Sequence, residues 1–474
     1  MASEEYSDGR MDVPGGLSGP AERVVVVGAG IAGLTVANAL MHAGVECVVL
    51  EGRDRIGGRL HTIDLGGSPV DLGGSWIHHP VGNPLRAFAA QIGLSCRSGD
   101  LLPELAAYDC GEGRRLSQAE VQAHLGLLYE EFPEAVVTHL RHELGAGANA
   151  AEAAEAFVAG AGLPTAPARR ARQGLRAVIE AGASDAAENE SLRWMWNEIE
   201  YGGDYFGDLP GGGYRSLVGA MAAGINVRLG REVTEVAVSP GGVTVLGADG
   251  ASEAGSHVVV TVPLGVLKQD RPRFSPALPP GRTAAIDRLG FGRFEKVAVR
   301  FDEPFWRADG LPHMMLFPSA AGEPTVWVIG QDAFDLGPTL VFLIFHSAAN
   351  RAFKTSPDHA VAWVLRMLAE ATGHPCPVPV AVATTSWAHD PYSAGAYSHI
   401  PPGAEPADLD LLGEPVNGRL LFAGEHTQSA RMGYADGAMT SGIREAKRLL
   451  RQPCVHLGPV GSISPATADR KLCR

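Results

Sequence analysis

No two of the six cysteines (Cys47, Cys96, Cys110, Cys376, Cys454, Cys473) stand at a CxxC or other metal-ligand spacing. That excludes a zinc knuckle and a paired redox motif. No metal is expected, and the scatter reads as free thiols of a reducing compartment, with the cytoplasm as the expected location. Apolar runs stop well short of the roughly 18 residues that a membrane span needs. The first 22 residues carry acids, glycines and prolines but no apolar leader core, so neither a signal peptide nor a membrane partner is expected. A basic excess is missing as well. The net charge of −14 argues against nucleic acid as a partner and is compatible with cationic substrates. The rest is ordinary for a globular protein, 45% hydrophobic and 19% charged. At 474 residues the chain exceeds a single core and should form two domains or intertwined lobes.

Against these absences stands one dense stretch, Arg23 to Arg59. Four valines, Val24 to Val27, read as a buried parallel strand. The strand runs into Gly28-Ala-Gly30-Ile-Ala-Gly33, a helical run from Leu34 to Ala43 follows, and a second strand, Cys47 to Leu50, ends at Glu51. Gly28 allows the tight turn, Gly30 lets a pyrophosphate approach the backbone, and Gly33 lets helix and strand pack closely. The helix start offers free N–H groups to the phosphates. Glu51 falls where a carboxylate can take both ribose hydroxyls, and it would repel a 2′-phosphate. Arg53, Arg55, Gly57, Gly58 and Arg59 come next. A nicotinamide dehydrogenase has no need of cations there, whereas a flavoprotein can set them against its diphosphate. The expected cofactor is FAD.

Along the remaining chain, 80–205 reads as helical, including an alanine-rich stretch from Ala146 to Ala187 with surface-helix spacing. Short β-branched runs follow at 226–229, 233–238, 243–246 and 257–262, then at 296–301, 326–329 and 340–346. The chain returns to an α/β pattern with a strand at 419–422 and a helix from Gly437 to Leu450. Gly424 and Glu425 follow that strand, and Tyr434 with Ala435 opens the helix. A glycine–acid pair there can bond the ribityl chain, and the helix start can face phosphate or flavin. The expected fold class is α/β, a Rossmann-like FAD-binding domain interrupted by a substrate-binding domain of mixed sheet and helices. The expected boundaries are 21–79, 206–291 and 386–452 for the cofactor domain, and 80–205 with 292–385 for the substrate domain. Residues 1–20 and 453–474 are expected tails, the first of them disordered.

Seven segments together resemble the flavin-containing amine oxidases, the group of polyamine oxidases, monoamine oxidases and flavin histone demethylases, and most of all the polyamine oxidases. They are GAGIAGL, EGRDRIGGR, DLGGSWIHHPVGNP (Asp71 to Pro84), LPGGGYRSL, VVVTVPLGVLK, FEKVAVRFDEPFW (Phe294 to Trp306) and AGEHTQSARMGYADGAMTSG (Ala423 to Gly442). The resemblance implies an oxidase with an amine substrate and molecular oxygen as partners. It implies that Lys296 holds a water at flavin N5, that Tyr397 and Tyr434 form paired aromatic walls around the amine, and that His78 stands at the rim, accepting a hydrogen bond or proton. It adds Gly74, Ser75, Trp76, Val233 and Trp387 to the cofactor set. Ala396 stands where monoamine oxidases carry their flavin-linking cysteine, so the FAD is expected to be non-covalent.

Glu198 and Glu200, with Asp204 and Asp208 nearby, form a candidate acidic wall for a distal ammonium. Amino-acid oxidases of this superfamily place an arginine after the DLG turn; here none occurs until Arg86, which disfavours an α-amino acid. The alanine-rich region is too short for the helical tower of a histone demethylase. The reading is therefore oxidation of an amine, expected to be a polyamine, to an imine and aldehyde with hydrogen peroxide. The alternatives are a tailoring oxidase of a specialised amine or L-amino acid, and an FAD-bound interaction protein without turnover.

Overall fold

A computed structural model describes residues 16–199, 201–309, 312–320, 322–354 and 356–458. The valine run forms the centre of a five-stranded parallel sheet. Its strand order is Leu420–Phe422, His257–Val260, Arg23–Val27, Glu46–Leu50 and Val227–Arg228. Val24 to Val27 are buried on both faces, as a strand with helices or sheet above and below must be. The helix Ile31–His42 covers one face beside the final helix, Ala435–Leu450. The two pack closely because Gly442 faces Ala32, where an added Cβ would lie 2.5 Å from the Ala32 carbonyl oxygen. A four-stranded sheet (Ser252–Gly255, Gly242–Gly247, Val233–Ser239, Arg273–Ser275) flanks this core.

A seven-stranded sheet forms the second centre, in the order Ala381–Thr384, Phe294–Arg300, Thr339–Phe345, Val326–Gly330, His313–Phe317, Leu105–Asp109 and Arg114–Arg115. Thr339–Phe345 is buried along its whole length. Leu105–Asp109 departs from the helical pattern expected for 80–205 and pairs in parallel with His313–Phe317. Its five residues, LAAYD, are all buried, so neither the alternation of a half-buried strand nor β-branching marks it. The alanine-rich stretch is helical, as Ala150–Gly160 and Thr165–Ala183. The second helix is no surface helix, because Arg170, Gln173, Leu175 and Glu180 are buried.

Cys47, Cys96, Cys110 and Cys376 are free thiols, but Cys454 is disulfide-bonded, which corrects the reading of six free thiols. The absence of CxxC spacing speaks only to local motifs, and a disulfide can join residues at any separation. Residues 1–15 of the expected tail lie outside the described residues, as do 459–474. No helix among the described residues is long and apolar enough to cross a membrane.

Gly33 tests the packing of this core. An added Cβ would stand 2.1 Å from the Gly28 carbonyl oxygen, which forces the helix off the strand. Gly33→Ala is expected to destabilise the protein by about 2 kcal/mol or more. Chemical denaturation should show a lowered midpoint even without cofactor.

Candidate active site

One cavity of about 830 Å³ lies between the parallel sheet, the seven-stranded sheet and the helical segments. Every expected cofactor residue lines it except Gly33, which packs beneath the turn, and Arg55. Lys296, Tyr397, Tyr434, His78 and Glu198 line it too. Glu200 lies outside the described residues. Asp204 lines the wall, whereas Asp208 takes an ion pair from Arg86 at 2.7 Å.

The fit of FAD can be judged at the first glycine turn. Gly28 has φ +106°, a conformation glycine adopts without strain. Gly30, at the start of helix Ile31–His42, has nothing within 4 Å of a Cβ position, and the helix has no side-chain cap. The final helix also starts uncapped at Tyr434, and Ala435 and Ala438 face the same cavity. Two helix starts with free N–H groups and open space at Gly30 suit an anionic diphosphate. Glu51 is buried; Oε2 accepts from the Ala29 N–H at 2.7 Å and Oε1 from the Arg53 N–H at 2.9 Å. These residues fit the group. None of the lining residues is a cysteine, in keeping with non-covalent FAD.

The arginines of the second turn are committed to protein partners. Arg53 pairs with Asp390 and donates to Ser393 Oγ at 2.8 Å. Arg55 donates to the carbonyl of its neighbour Ile56 at 3.2 Å and does not line the cavity, contrary to its expected place against the diphosphate. Arg59 donates to the Ala396 carbonyl at 2.7 Å and to Glu425 Oε1 at 2.8 Å. Glu425 Oε2 also accepts from Ser398 Oγ, and from the Gly433 N–H at 2.9 Å. Burial opposes the charge on Glu425, but the nearby Arg59 charge and these hydrogen bonds hold its carboxyl below the usual range.

Lys296 comes from strand Phe294–Arg300, where alternation sends neighbouring side chains to opposite faces. Its ammonium donates to the Asp71 carbonyl at 3.0 Å, the Gly73 carbonyl at 2.6 Å and Ser75 Oγ at 2.6 Å. Burial pulls its pKa from the ordinary 10.5 down to about 8, with the Asp71 charge acting the other way. On the opposite side, buried Glu295 accepts from Thr385 Oγ1 at 2.6 Å and the Trp387 N–H at 2.9 Å.

Tyr397 donates its hydroxyl to the Ala181 carbonyl, and its own carbonyl accepts from Ser184 Oγ at 2.9 Å. It thereby satisfies a carbonyl at the end of helix Thr165–Ala183. Tyr434 has the Arg431 guanidinium 3.8 Å from its ring centre and His78 edge-on at 5.5 Å. Burial raises both phenol pKa values, so both rings are neutral. His78 Nδ1 meets the Tyr205 carbonyl at 2.6 Å and must donate there, which leaves Nε2 as the acceptor. Burial lowers its pKa to about 4. His78 is therefore a neutral hydrogen-bond acceptor and not a base near neutrality, which narrows the expected role.

Other residues of this site were not foreseen from sequence. Arg431 and Asp436 form a buried two-bond pair at 2.8–2.9 Å, and Asn83 Nδ2 donates to Asp436 at 2.6 Å. Both charged residues lie inside the quoted SARMGYADG segment, but their pairing under Tyr434 is a tertiary fact. Tyr205, Tyr129 and Glu190 also line the wall. The helical stretch 118–144 carries two π-helical turns, Leu127–Glu131 and Val136–Leu140, and the first presents Leu128 and Tyr129 to the cavity.

A sequence profile described as flavin containing amine oxidoreductase matches residues 31–450. Among curated relatives, Lysine-specific histone demethylase 1 homolog 2 of Arabidopsis thaliana is 33% identical over 460 residues, covering 90% of this chain and 58% of that protein. Lysine-specific histone demethylase 1 homolog 3 of Oryza sativa subsp. japonica is 34% identical, covering 90% and 54%. Polyamine oxidase 4 of Oryza sativa subsp. japonica is 32% identical over 487 residues, covering 95% of each chain. The chain spans little more than half the length of the demethylase relatives.

Two outcomes are expected from this geometry. Gly30→Ala meets no neighbour and should fold with unchanged stability, yet both it and Glu51→Ala should lose FAD on gel filtration, read from the flavin-to-protein absorbance ratio. Full retention in both would remove these residues from the cradle. Lys296 keeps its proton to about pH 8 when folded and to about 10.5 when unfolded. Between those values the unfolded chain binds more protons, so its contribution to stability rises with pH. Denaturation of wild type and Lys296→Met across that window should show the stability difference, wild type minus variant, rising with pH.

Proposed function

The chain belongs to the flavin-containing amine oxidoreductase family, and on that premise we propose that it is an oxidase of amines, with polyamines as the substrate class. One observation supports this best. Each lysine and arginine lining the cavity already holds a partner within the protein: Arg53 with Asp390, Arg59 with Glu425, Arg271 with Glu232, Arg431 with Asp436, and Lys296 with the Asp71–Ser75 turn. No cation among the described lining residues is idle to receive the carboxylate of an α-amino acid, which favours an amine.

Bound FAD supplies the acceptor at N5 for the hydride of the amine α-carbon, the resulting imine hydrolyses to an aldehyde, and molecular oxygen takes the electrons to give hydrogen peroxide. The chain's own groups position the donor. Tyr397 and Tyr434 offer neutral aromatic faces to the amine, and His78 Nε2 accepts a hydrogen bond at the rim. Lys296 Nζ, close to half-protonated near pH 8, is the group of the site that can hold or release a proton. Gly28, Gly30, Glu51, Gly424 and Glu425, with the starts of the two helices, hold the dinucleotide. We assign residues 21–79, 206–291 and 386–452 to that cofactor-binding role and 80–205 with 292–385 to the substrate.

A second reading, oxidation of a methylated lysine side chain, is favoured by the names of the demethylase relatives. Anaerobic stopped-flow mixing separates the two. Spermine, spermidine or an N-acetylated polyamine is expected to bleach the oxidised-flavin band, while amino acids and a dimethyl-lysine peptide leave it unchanged. Bleaching by the peptide alone would overturn the polyamine assignment, and bleaching by no amine would move the protein to a non-catalytic role.

A further inference from the structure

Behind Lys296 lies a second, smaller cavity of about 190 Å³. Lys296, Ser75 and Trp76 line both spaces, so the hold of the Lys296 ammonium on the Asp71–Ser75 turn forms the partition between them. The seven-stranded sheet runs under both as a common floor. Trp327 and Leu343 lie beneath the larger cavity. Ile329 and Val341, each two residues away along its strand and so on the same face, lie beneath the smaller one. Arg97 and Asp335, an exposed ion pair at 2.6 Å, form its outer end.

The walls decide what the smaller cavity can hold. Val70, Leu209, Phe334 and Leu336 extend the apolar lining begun by Ile329 and Val341. Each charged side chain on the described lining already has its partners. Arg97 holds Asp335, Lys296 holds its turn, and Asp71 accepts from Thr62 Oγ1 and from the Tyr214 N–H at 3.2 Å. No charge is left there for an ion. The volume falls below the roughly 300 Å³ at which sites for drug-sized molecules begin. Apolar cavities of this order stay dry and take up small apolar guests. A neutral diatomic gas meets each of these limits.

We propose that the smaller cavity is an entry for dioxygen, ending at Lys296 and the turn assigned to the cofactor and separate from the space in which the amine sits. The proposal rests on the oxidase reading and adds the path that its acceptor takes. Dioxygen takes two electrons and two protons from the reduced flavin and leaves as hydrogen peroxide. A second entry lets that step run while the oxidised amine still fills the larger cavity.

Two readouts test the entry, neither of which needs a substrate. Crystals of the flavin-loaded protein under xenon pressure should show xenon in the smaller cavity, and none there in Val341→Phe, whose ring fills it. Photoreduced enzyme mixed with dissolved oxygen by stopped flow gives the second readout. Val341→Phe at the floor and Leu336→Trp beside Asp335 should both retain the flavin, yet lower the second-order reoxidation rate at least about tenfold. Dichlorophenolindophenol, too large for the cavity, should reoxidise wild type and variants at one rate. An absence of xenon from wild type, or equal slowing with both acceptors, would overturn the entry. Rapid reoxidation by oxygen that neither variant slows would overturn it too and leave the oxidase reading standing. A wild type that dissolved oxygen barely reoxidises would sink that reading and the entry together.

Discussion

Glu425 receives hydrogen bonds from three parts of the chain that are remote in sequence. They are Arg59 after the first βα unit, Ser398 in the short strand Ser398–His399, and the Gly433 N–H before the last helix. Ser398 follows Tyr397, and Gly433 precedes Tyr434. The two rings that wall the cavity are therefore held through their neighbours by one oxygen, Oε2, of a buried carboxylate whose other oxygen takes Arg59. Gly433 also lies close to Tyr397, with an added Cβ 3.5 Å from its ring. Removing the carboxylate would leave Arg59 without its ion pair and free both loops together. A buried charge with this many donors is costly to disturb and therefore conformationally specific.

The same logic recurs on the other side. Strand Phe294–Arg300 uses its alternation to deliver two opposite charges to opposite faces. Glu295 fixes the Thr385–Trp387 turn, and Lys296 fixes the Asp71–Ser75 turn. Trp387 Nε1 then donates to the Leu72 carbonyl at 3.2 Å, joining the two turns. Cavity-lining residues on two loops are thus aligned by one strand of the seven-stranded sheet.

Much of this was legible in the sequence because it depends on local backbone demands. The glycine turn, Glu51 and the last strand–helix unit could be read from spacing, and the observed elements fall within a few residues of the expected ones. Pairings across the fold were not legible. The Arg431–Asp436 pair beneath Tyr434, the diversion of Arg55 to its own turn, and the low pKa of His78 all arise from burial that no local pattern encodes. Leu105–Asp109 was hidden for a related reason, since a strand buried on both faces shows no alternation.

The strand order of the parallel sheet also bears on how the protein is made. Its edge strand, Leu420–Phe422, pairs with His257–Val260, which pairs with Arg23–Val27, and the last helix packs on the first. The cavity is lined by the turn at residue 28 and also by residues from 424 onward. A nascent chain therefore carries its glycine fingerprint for most of its synthesis without a finished pocket. Such long-range pairing slows folding, and the cavity wall is complete only once the helix Ala435–Leu450 is in place.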